Sequence, residues 1–391
     1  MPRMIIDRMD DTPIDVPPGL TNVVVTETSL GEVRGREGFY HYRQYSAVDL
    51  AREASLEEVW HLLLLGRLPN AADLAGFAER TAAVRAIPAP VVALLPPSVA
   101  TGAEPMAVLR TLLSGYGAAA GLAPLYDQTA EERLDAALRV GAVTPGLIAA
   151  AHRVRQGLRP VPPRPELGFA ADYLHRLTGA EPTPEQVAGL SAYLIAAIDH
   201  GFNASTFTAR VIASTGADLA ACVTGAVGAL SGPLHGGAPG RVLAALDEIG
   251  TADRIEPWVR DKINSGGRIM GFGHPVYRTE DPRSAMLKEL VRGYGTPRAD
   301  FALEVERTVI DLLAELKPGR ALNTNIEFYA AVVMEHCGIP AELFTPTFAV
   351  ARVIGWTAHI LEQAEDSKII RPSSRYVGAT PPAPVPPLSE R

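Results

Sequence analysis

Patterns typical of β-strands are almost confined to the first 45 residues of this chain. The segments 22–28 (NVVVTET) and 38–45 (GFYHYRQY) are rich in β-branched and aromatic residues and flank a glycine-containing turn. From Ser55 onward the apolar residues recur at helical spacing, and the sequence Ser55-Leu-Glu-Glu58 matches a capping box before an apolar run. The sequence therefore predicts a mainly α fold with a small β-hairpin near the N-terminus.

The helical pattern continues through most of the chain, in segments separated by glycine and proline. Proline-rich stretches at 88–97 and 160–165 indicate connections between helices. The tail 379–391 (ATPPAPVPPLSER) is predicted to be disordered or an extended arm. The predicted helices are, in order, 55–65, 71–86, 104–119, 130–140, 145–156, 184–199, 203–214, 218–230, 240–249, 255–264, 284–293, 298–316, 325–337 and 346–364.

Composition excludes several classes of function. The chain has 391 residues and a formal net charge of −8, which argues against nucleic acid as its main partner. Its two cysteines, Cys222 and Cys337, have no spacing that suggests a disulfide framework or a metal site. The longest apolar run, about 219–230, is too short to cross a bilayer, and the N-terminus has no secretory signal. We therefore expect a cytoplasmic enzyme with no membrane partner.

The stretch 268–283 (RIMGFGHPVYRTEDPR) concentrates polar chemistry in a predicted loop. It holds His274 among glycines and prolines, together with three arginines. Gly271 and Gly273 permit backbone conformations that a Cβ forbids, and they let a ligand approach the main chain closely. A fixed histidine can move a proton and an arginine can clamp a carboxylate, so this loop suits a small acid as ligand. The alternative is a solvated turn with an incidental histidine.

Several well-known motifs are missing, which excludes the chemistries that they serve. The chain has no G-x-x-x-x-G-K-[ST] phosphate loop, no complete dinucleotide-binding glycine fingerprint and no G-x-S-x-G hydrolase elbow. Its histidines do not have the spacing of a metal site, so we expect no bound metal. The remaining candidates are three histidines at loops or helix ends, His200, His235 and His274, beside the arginines Arg278, Arg283, Arg352 and Arg371.

Five segments resemble, in the same order, motifs of the citrate synthase family. They are DHGFNASTFTARV (199–211), SGPLHGG (231–237), GFGHPVYRTEDPR (271–283), NTNIEFYAA (323–331) and LFTPTFAVARVIGWTAHILEQ (343–363). The resemblance covers roughly residues 19–378 and is closest to the shorter bacterial-type citrate and 2-methylcitrate synthases.

The resemblance implies a nearly all-helical homodimer with two domains in each subunit. Residues 1–236 and 339–391, including the C-terminal arm, would form a large domain, and residues 237–338 would form a small one. The implied reaction condenses acetyl-CoA with oxaloacetate and hydrolyses citryl-CoA to citrate and CoA. It needs no metal and no permanently bound cofactor.

The resemblance also assigns roles to individual residues. His235 would donate a hydrogen bond to the thioester oxygen, His274 would polarise the oxaloacetate carbonyl, and Glu327 would remove the methyl proton. The residues that would bind oxaloacetate are His200, Asn203, Arg283, Arg352 and Arg371, the last from the neighbouring subunit. The residues that would meet the adenine end of CoA are Arg268, Ile269, Met270, Gly271 and Gly273.

Glu327 is the one departure of consequence, because most of the family carries aspartate at this position. Glutamate adds about 1.5 Å of reach, and a misplacement of about 1 Å can cost about a hundredfold in rate. Two alternatives therefore stay open beside citrate synthase. One is a 2-methylcitrate synthase using propionyl-CoA, since one methylene is discriminated by only about 1–3 kcal/mol. The other is a catalytically weak homologue that binds CoA or a carboxylate.

Overall fold

The contacts within the chain divide it into two units. The first unit combines residues up to Glu27 with Ile369–Arg391. Its described residues are mostly exposed, and Arg375 and Asp15 form an ion pair of 2.9 Å within it. The second unit, Thr28–Lys368, holds the hydrophobic core. The computed structural model describes residues 13–236, 239–274, 276–277, 279–318, 322–366 and 368–391.

The second unit is mainly helical, as predicted. Its strands are β1 (Gly31–Arg34), β2 (Phe39–Tyr42) and β3 (Tyr45–Ser46). Its helices are α1 (Ala47–Glu53), α2 (Leu56–Leu65), α3 (Ala71–Ala83), α4 (Ala89–Val92), α5 (Leu95–Ala100), α6 (Pro105–Ala119), α7 (Ala130–Arg155), α8 (Phe169–Thr178), α9 (Pro184–Ala197), α10 (Ala204–Ala213), α11 (Leu219–Leu230), α12 (Pro239–Ile249), α13 (Ile255–Asn264), α14 (Pro282–Gly293), α15 (Pro297–Leu316), α16 (Ile326–His336) and α17 (Phe344–Ala364). Short 3-10 turns lie at Leu125–Asp127, Ala252–Arg254 and Ala341–Leu343.

The small sheet is antiparallel, in the order β1–β2–β3, with Val33 opposite Tyr40. The predicted strand at 22–28 is wrong, since the first strand begins at Gly31. The β-branched residues of 22–28 remain largely exposed, Val24 at 84 %, because no strand among the described residues pairs with them. Strand propensity measures fit to a half-buried surface, and this segment has no such surface to pack on.

One helix, α7, replaces the two helices predicted at 130–140 and 145–156. Pro145 lies inside it and removes one backbone hydrogen bond, but buried neighbours on both sides keep the helix continuous. By length and composition α7 could cross a membrane. However, 83 % of its most apolar window is buried inside the protein, as expected of a core helix.

Other helices appear where the sequence indicated breaks or no clear pattern. Helices α4 and α5 occupy most of the proline-rich stretch 88–97, and each carries proline in its first turn. Proline is tolerated there because the first N–H groups of a helix have no partner within the helix. Helices α1 and α8 were also not predicted. By contrast, the predicted capping box at Ser55 and Glu58 is confirmed at the start of α2.

The sheet is fixed to the end of α9 by two buried tyrosines. The Tyr40 hydroxyl donates to the carbonyl oxygen of Ala196 (3.1 Å), and the Tyr42 hydroxyl donates to that of Ile195 (2.8 Å). These bonds hold β2 beside the segment that follows α9. The fold thereby brings the N-terminal sheet next to the first predicted motif, which begins at Asp199.

Candidate active site

One cleft of about 790 Å³ gathers most of the predicted site residues. A groove of about 620 Å³ shares Arg268, His274 and Glu327 with this cleft and continues along the main chain of 267–272. Arg371 belongs to the terminal unit, where it is exposed, and Arg278 lies outside the described residues. The predicted residues that line the cleft are His200, Asn203, His235, Arg268, His274, Arg283, Glu327 and Arg352.

His200 and Asn203 lie in the turn between α9 and α10. Asn203 is the N-cap of α10, since its Oδ1 accepts the backbone N–H of Thr206 (3.1 Å). Its Nδ2 donates to the carbonyl oxygen of Gly201 (3.1 Å), so the amide mainly shapes the turn. Burial lowers the pKa of His200 well below its usual value, and the nearby guanidinium of Arg283 adds to the effect. His200 is therefore a neutral imidazole at pH 7.

His235 follows α11 in the chain, and its ring contacts the first turn of α10. Its Nε2 accepts the backbone N–H of Ser205 (3.3 Å) and lies 2.8 Å from the Ser205 hydroxyl oxygen. Burial lowers the pKa of His235, and the cation of Arg352 lowers it further, so the ring is neutral at pH 7. With Nε2 accepting the amide, the neutral ring carries its proton on Nδ1. His235 can then donate one hydrogen bond to a ligand.

His274 is held by its own loop. Its Nδ1 accepts the backbone N–H groups of Val276 (3.0 Å) and Tyr277 (3.1 Å). Burial and then the charge of Arg283 lower the pKa of His274 to about 4, so the neutral ring carries its proton on Nε2. That nitrogen lies 3.2 Å from Nη2 of Arg283, which is also a donor. A ligand oxygen within reach of both nitrogens would accept a hydrogen bond from each.

Asp281 joins three parts of the site. It caps α14 by accepting the backbone N–H of Arg283 (3.1 Å), and it accepts the Arg283 side chain at Nε (2.9 Å) and Nη2 (2.8 Å). It also accepts the backbone N–H of Ile326 (3.0 Å), the first residue of α16. Burial opposes ionisation of Asp281, but Arg283 overcomes it and holds the pKa of this carboxyl below its usual value. The pair is therefore charged, buried and hydrogen-bonded.

Arg352 enters the cleft from α17 and is also buried, but no carboxylate of the described residues forms an ion pair with it, although the charge of Asp199 favours its protonated form. Among the described residues its Nε and Nη1 make no hydrogen bond. Its guanidinium carbon lies 4.7 Å from the centre of the Phe348 ring. Burial lowers the pKa of Arg352, although an arginine stays protonated at pH 7. A buried cation with free donors suits an anionic ligand.

Glu327 lies in the first turn of α16, whose N-cap is Asn325. Its backbone N–H donates to Oδ1 of Asn325 (3.0 Å), while its carboxyl makes no hydrogen bond with the described residues. Burial raises the pKa of Glu327 to about 7, and Arg283 only partly opposes this shift. A carboxyl with such a pKa can take and release a proton near neutral pH.

The loop before His274 is fastened to the segment before α16. The N–H of Gly273 donates to the carbonyl of Asn323 (2.8 Å), and the N–H of Asn325 donates to that of Gly271 (2.9 Å). Gly271 and Gly273 have φ of 84° and 85°, in the left-handed region that favours glycine. A Cβ on Gly271 would lie 3.0 Å from the Phe328 ring, so a side chain there would also crowd α16. The predicted loop therefore packs against the first turn of α16.

Sequence reasoning missed part of the role of one residue and the whole role of another. The sequence indicated that Asp281 is a surface or helix-cap acid that could also hold Arg283; it is a cap and it binds Arg283, but it is only 1 % exposed. The D-P-R pattern signals the cap, but not the contact with Ile326, which lies 45 positions further on. Tyr277, whose hydroxyl lies 2.9 Å from Nε2 of His200, was not singled out as a site residue. No local signal in the sequence marks that contact.

The cleft can therefore bind an anion and move a proton. It offers the buried cation of Arg352, two neighbouring donors at His274 and Arg283, and a carboxyl at Glu327 whose pKa is about 7. Within the described ranges, no group of three or more His, Cys, Asp or Glu side chains could hold a metal ion.

Comparison with known proteins gives one consistent family. The family model described as "Citrate synthase, C-terminal domain" matches residues 19–373. Citrate synthase 2 of Bacillus subtilis is 39 % identical over 92 % of this chain and 95 % of its own length. A 2-methylcitrate synthase of Mycobacterium tuberculosis is 38 % identical over 96 % of this chain and 93 % of its own.

A solved structure agrees with these sequence matches. It is the citrate synthase of the thermophilic archaeon Thermoplasma acidophilum in a ternary complex with carboxymethyl coenzyme A and oxaloacetate. Its TM-score is 0.84, with 28 % identity over 95 % of this chain and 98 % of that one.

Proposed function

This chain belongs to the citrate synthase family, and from that premise we propose that it condenses acetyl-CoA with oxaloacetate and hydrolyses citryl-CoA to citrate and CoA. The observation that carries the proposal is the meeting, in one cleft, of the free cation of Arg352 with the near-neutral carboxyl of Glu327. The first suits a carboxylate substrate, and the second suits proton removal from carbon.

Oxaloacetate is proposed to bind through its charges. Arg352 supplies free donors for one carboxylate, and charge-assisted hydrogen bonds of this kind are about twice as strong as neutral ones. In the proposed complex the substrate carbonyl oxygen lies beside Nε2 of His274 and Nη2 of Arg283, two donors that are 3.2 Å apart. That oxygen gains negative charge as the new carbon–carbon bond forms, and the two donors stabilise it.

The methyl group of acetyl-CoA is proposed to lose its proton to Glu327. A base works best when its pKa is near the working pH, and burial brings Glu327 to about 7. The thioester oxygen must be stabilised at the same moment. His235, neutral and with a proton on Nδ1, is suited to donate that hydrogen bond without becoming an ion itself.

CoA is proposed to lie in the groove beside the cleft. The groove runs along Arg268, Ile269, Met270 and Gly271, and it reaches Glu327 where it meets the cleft. A thioester in the groove would thus point toward the base, while Arg268, which lines both cavities, could face a phosphate. Gly273 contributes through its backbone bond to Asn323 and holds the loop in place.

The first experiment measures release of CoA thiol by the purified protein with oxaloacetate and either acetyl-CoA or propionyl-CoA. Faster turnover with acetyl-CoA is the expected result. The similarity to a 2-methylcitrate synthase makes propionyl-CoA the relevant competitor. Faster turnover with propionyl-CoA would reassign the protein to that reaction. No release with either substrate would favour a binding homologue with little activity.

Glu327→Gln tests the proposed base. It keeps the size of the side chain and removes its ability to accept a proton, so kcat should fall by about 100- to 10,000-fold. Glu280→Gln is the matched control, because Glu280 is an exposed acid near the site and should retain wild-type kcat. Equal turnover by Glu327→Gln and the wild type would show that another group removes the proton.

We also propose a homodimer in which Arg371 completes the neighbouring subunit's site. The proposal rests on the family resemblance, which covers roughly residues 19–378 and so includes this residue. Light scattering should give the mass of two chains. A mixture of Arg371→Ala and His274→Ala subunits, unfolded and refolded together, should recover part of the activity, since one site of a mixed dimer would then be intact. No recovery from proven mixed dimers would contradict a shared site.

A further inference from the structure

Tyr277 contacts three groups of the cleft in three different ways. Its hydroxyl lies 2.9 Å from Nε2 of His200, and its backbone N–H donates to Nδ1 of His274 (3.1 Å). Its ring lies 5.6 Å from the guanidinium carbon of Arg283. The side chain is only 4 % exposed. One residue is therefore in contact with both histidines of the proposed oxaloacetate site.

The direction of the bond between Tyr277 and His200 follows from the partners available. Burial raises the pKa of Tyr277, so the hydroxyl keeps its proton. Among the described residues this hydroxyl has no other hydrogen-bond partner than His200. If it accepted a proton from Nε2, its own hydrogen would be buried without an acceptor, which is costly. Donation from Tyr277 to Nε2 leaves both atoms satisfied.

The position of the proton on the neutral His200 ring follows from this bond. With Nε2 accepting from Tyr277, the ring carries its hydrogen on Nδ1. Within the described part of the chain, Nδ1 of His200 makes no hydrogen bond, and His200 lines the cleft. The ring of His200 lies 5.7 Å from that of His274, whose proton is on Nε2. The two neighbouring histidines thus carry opposite tautomers.

We propose that Tyr277 is a positioning residue for both histidines: its hydroxyl sets the tautomer of His200, and its backbone N–H, together with that of Val276, sets the tautomer of His274. In this arrangement each ring presents an N–H to the ligand. Oxaloacetate offers only acceptor oxygens, so a site for it needs donors at these positions. The identity of the ligand rests on the proposed function, but the tautomer of His200 does not.

Tyr277→Phe separates the two effects, because it removes the hydroxyl and keeps the ring and the backbone N–H. Tyr40→Phe is the matched control. The Tyr40 ring also lies 5.7 Å from His200, but its hydroxyl donates to the carbonyl of Ala196. Both variants should keep a folded chain, which a thermal melt would verify. The readout is the ¹⁵N spectrum of the histidine rings in the ligand-free protein, with His200 assigned from the signal lost in His200→Asn.

In the wild type and in Tyr40→Phe, we expect a protonated Nδ1 and an unprotonated Nε2 for His200. In Tyr277→Phe the proton should redistribute onto Nε2, while the His274 signals stay unchanged. A proton on Nε2 of His200 in the wild type would overturn the proposal. So would a His200 spectrum that does not respond to Tyr277→Phe.

Kinetics supply the second readout. Tyr277→Phe should raise KM for oxaloacetate about tenfold, the loss of roughly one hydrogen bond, with a smaller change in KM for acetyl-CoA. Tyr40→Phe should change neither KM by this amount. An inactive wild type with the expected His200 tautomer would remove the proposed function and leave the positioning role intact. An active wild type with the His200 proton on Nε2 would support the proposed function and overturn the positioning role of Tyr277.

Discussion

Arg283 and Arg352 reach the same cleft from two regions of the molecule, and their surroundings differ. Both are almost fully buried, at 3 % and 4 % exposure. Arg283, from α14, is bound through two nitrogens to Asp281, which keeps its pKa high despite burial. Arg352, from α17, leaves Nε and Nη1 without hydrogen bonds in the described structure, and burial lowers its pKa.

The difference separates two uses of a buried charge. A paired arginine is held in place by its carboxylate, and the pair can fix the groups around it, here the start of α16, whose Ile326 N–H donates to the same Asp281. A buried arginine without an ion-pair partner is unfavourable, and a carboxylate ligand would relieve that cost. The Arg283–Asp281 pair is therefore a structural frame, meaning that it holds neighbouring groups in place, whereas Arg352 is a contact for a bound ligand.

Asp281→Ala should have the largest effect, because it breaks the frame. It removes both side-chain bonds of Arg283, the cap of α14 and the partner of the Ile326 N–H. A buried charge left alone costs about 3–5 kcal/mol, so the free energy of unfolding in urea should fall by that amount. Glu280→Ala, its exposed neighbour, is the control and should change stability by about 0.5 kcal/mol or less. A loss below about 1 kcal/mol for Asp281→Ala would show that the pair is not a frame.

Arg352→Met should separate binding from stability. Loss of the free donors should raise KM for oxaloacetate about a hundredfold, as for a charge-assisted pair of hydrogen bonds. The free energy of unfolding should stay the same or rise, since an unpaired buried charge is replaced by an apolar side chain of similar length. Arg283→Met should instead lower both stability and activity. Equal destabilisation by the two substitutions would remove the distinction between the arginines.

The pH dependence of kcat/KM should show the smallest effect. It tests how far the Arg283–Asp281 pair influences the ionisation of Glu327. Burial raises the pKa of Glu327 to about 7, and Arg283 opposes this shift only in part, because the charge of Asp281 acts in the other direction. A base acts when deprotonated, so kcat/KM should rise through about pH 7, nearly tenfold for each unit below it, and level off above. A profile flat from pH 6 to 8 would contradict this assignment.

The same pKa has a consequence for stability. The folded protein holds the Glu327 proton more tightly than the unfolded chain, where the pKa is about 4.3. Protonated Glu327 therefore adds to the free energy of unfolding. This contribution is complete below about pH 4.3 and is lost as pH rises through about 7. In Glu327→Gln this part of the pH dependence should disappear from the unfolding curves.

Much of the helical architecture could be predicted from local patterns. Caps such as Ser55 with Glu58 depend on residues three apart and are visible in the sequence. The predictions of secondary structure were wrong where packing between residues distant in sequence determines the structure. Pro145 stays inside α7 because neighbouring helices bury it, and 22–28 fails to form a strand because nothing pairs with it.

The site divides in the same way. The chemistry of the 268–283 loop, its glycines and its histidine could be predicted because they are contiguous. The contact of Asp281 with Ile326 and that of Tyr277 with His200 join residues 45 and 77 positions apart. The pKa of Glu327 depends on burial, which no local pattern specifies.

The Asp281 junction also bears on how this part of the protein opens. The backbone N–H groups of Arg283 and Ile326 both donate to one carboxylate, so fraying of either α14 or α16 in its first turn disturbs the bond that holds the other. In native-state hydrogen exchange we expect these two amides to open as one cooperative unit, although they lie in different helices. The proposed base at Glu327 and the arginine at 283 therefore gain and lose order together, and a ligand that protects one amide from deuterium protects the other.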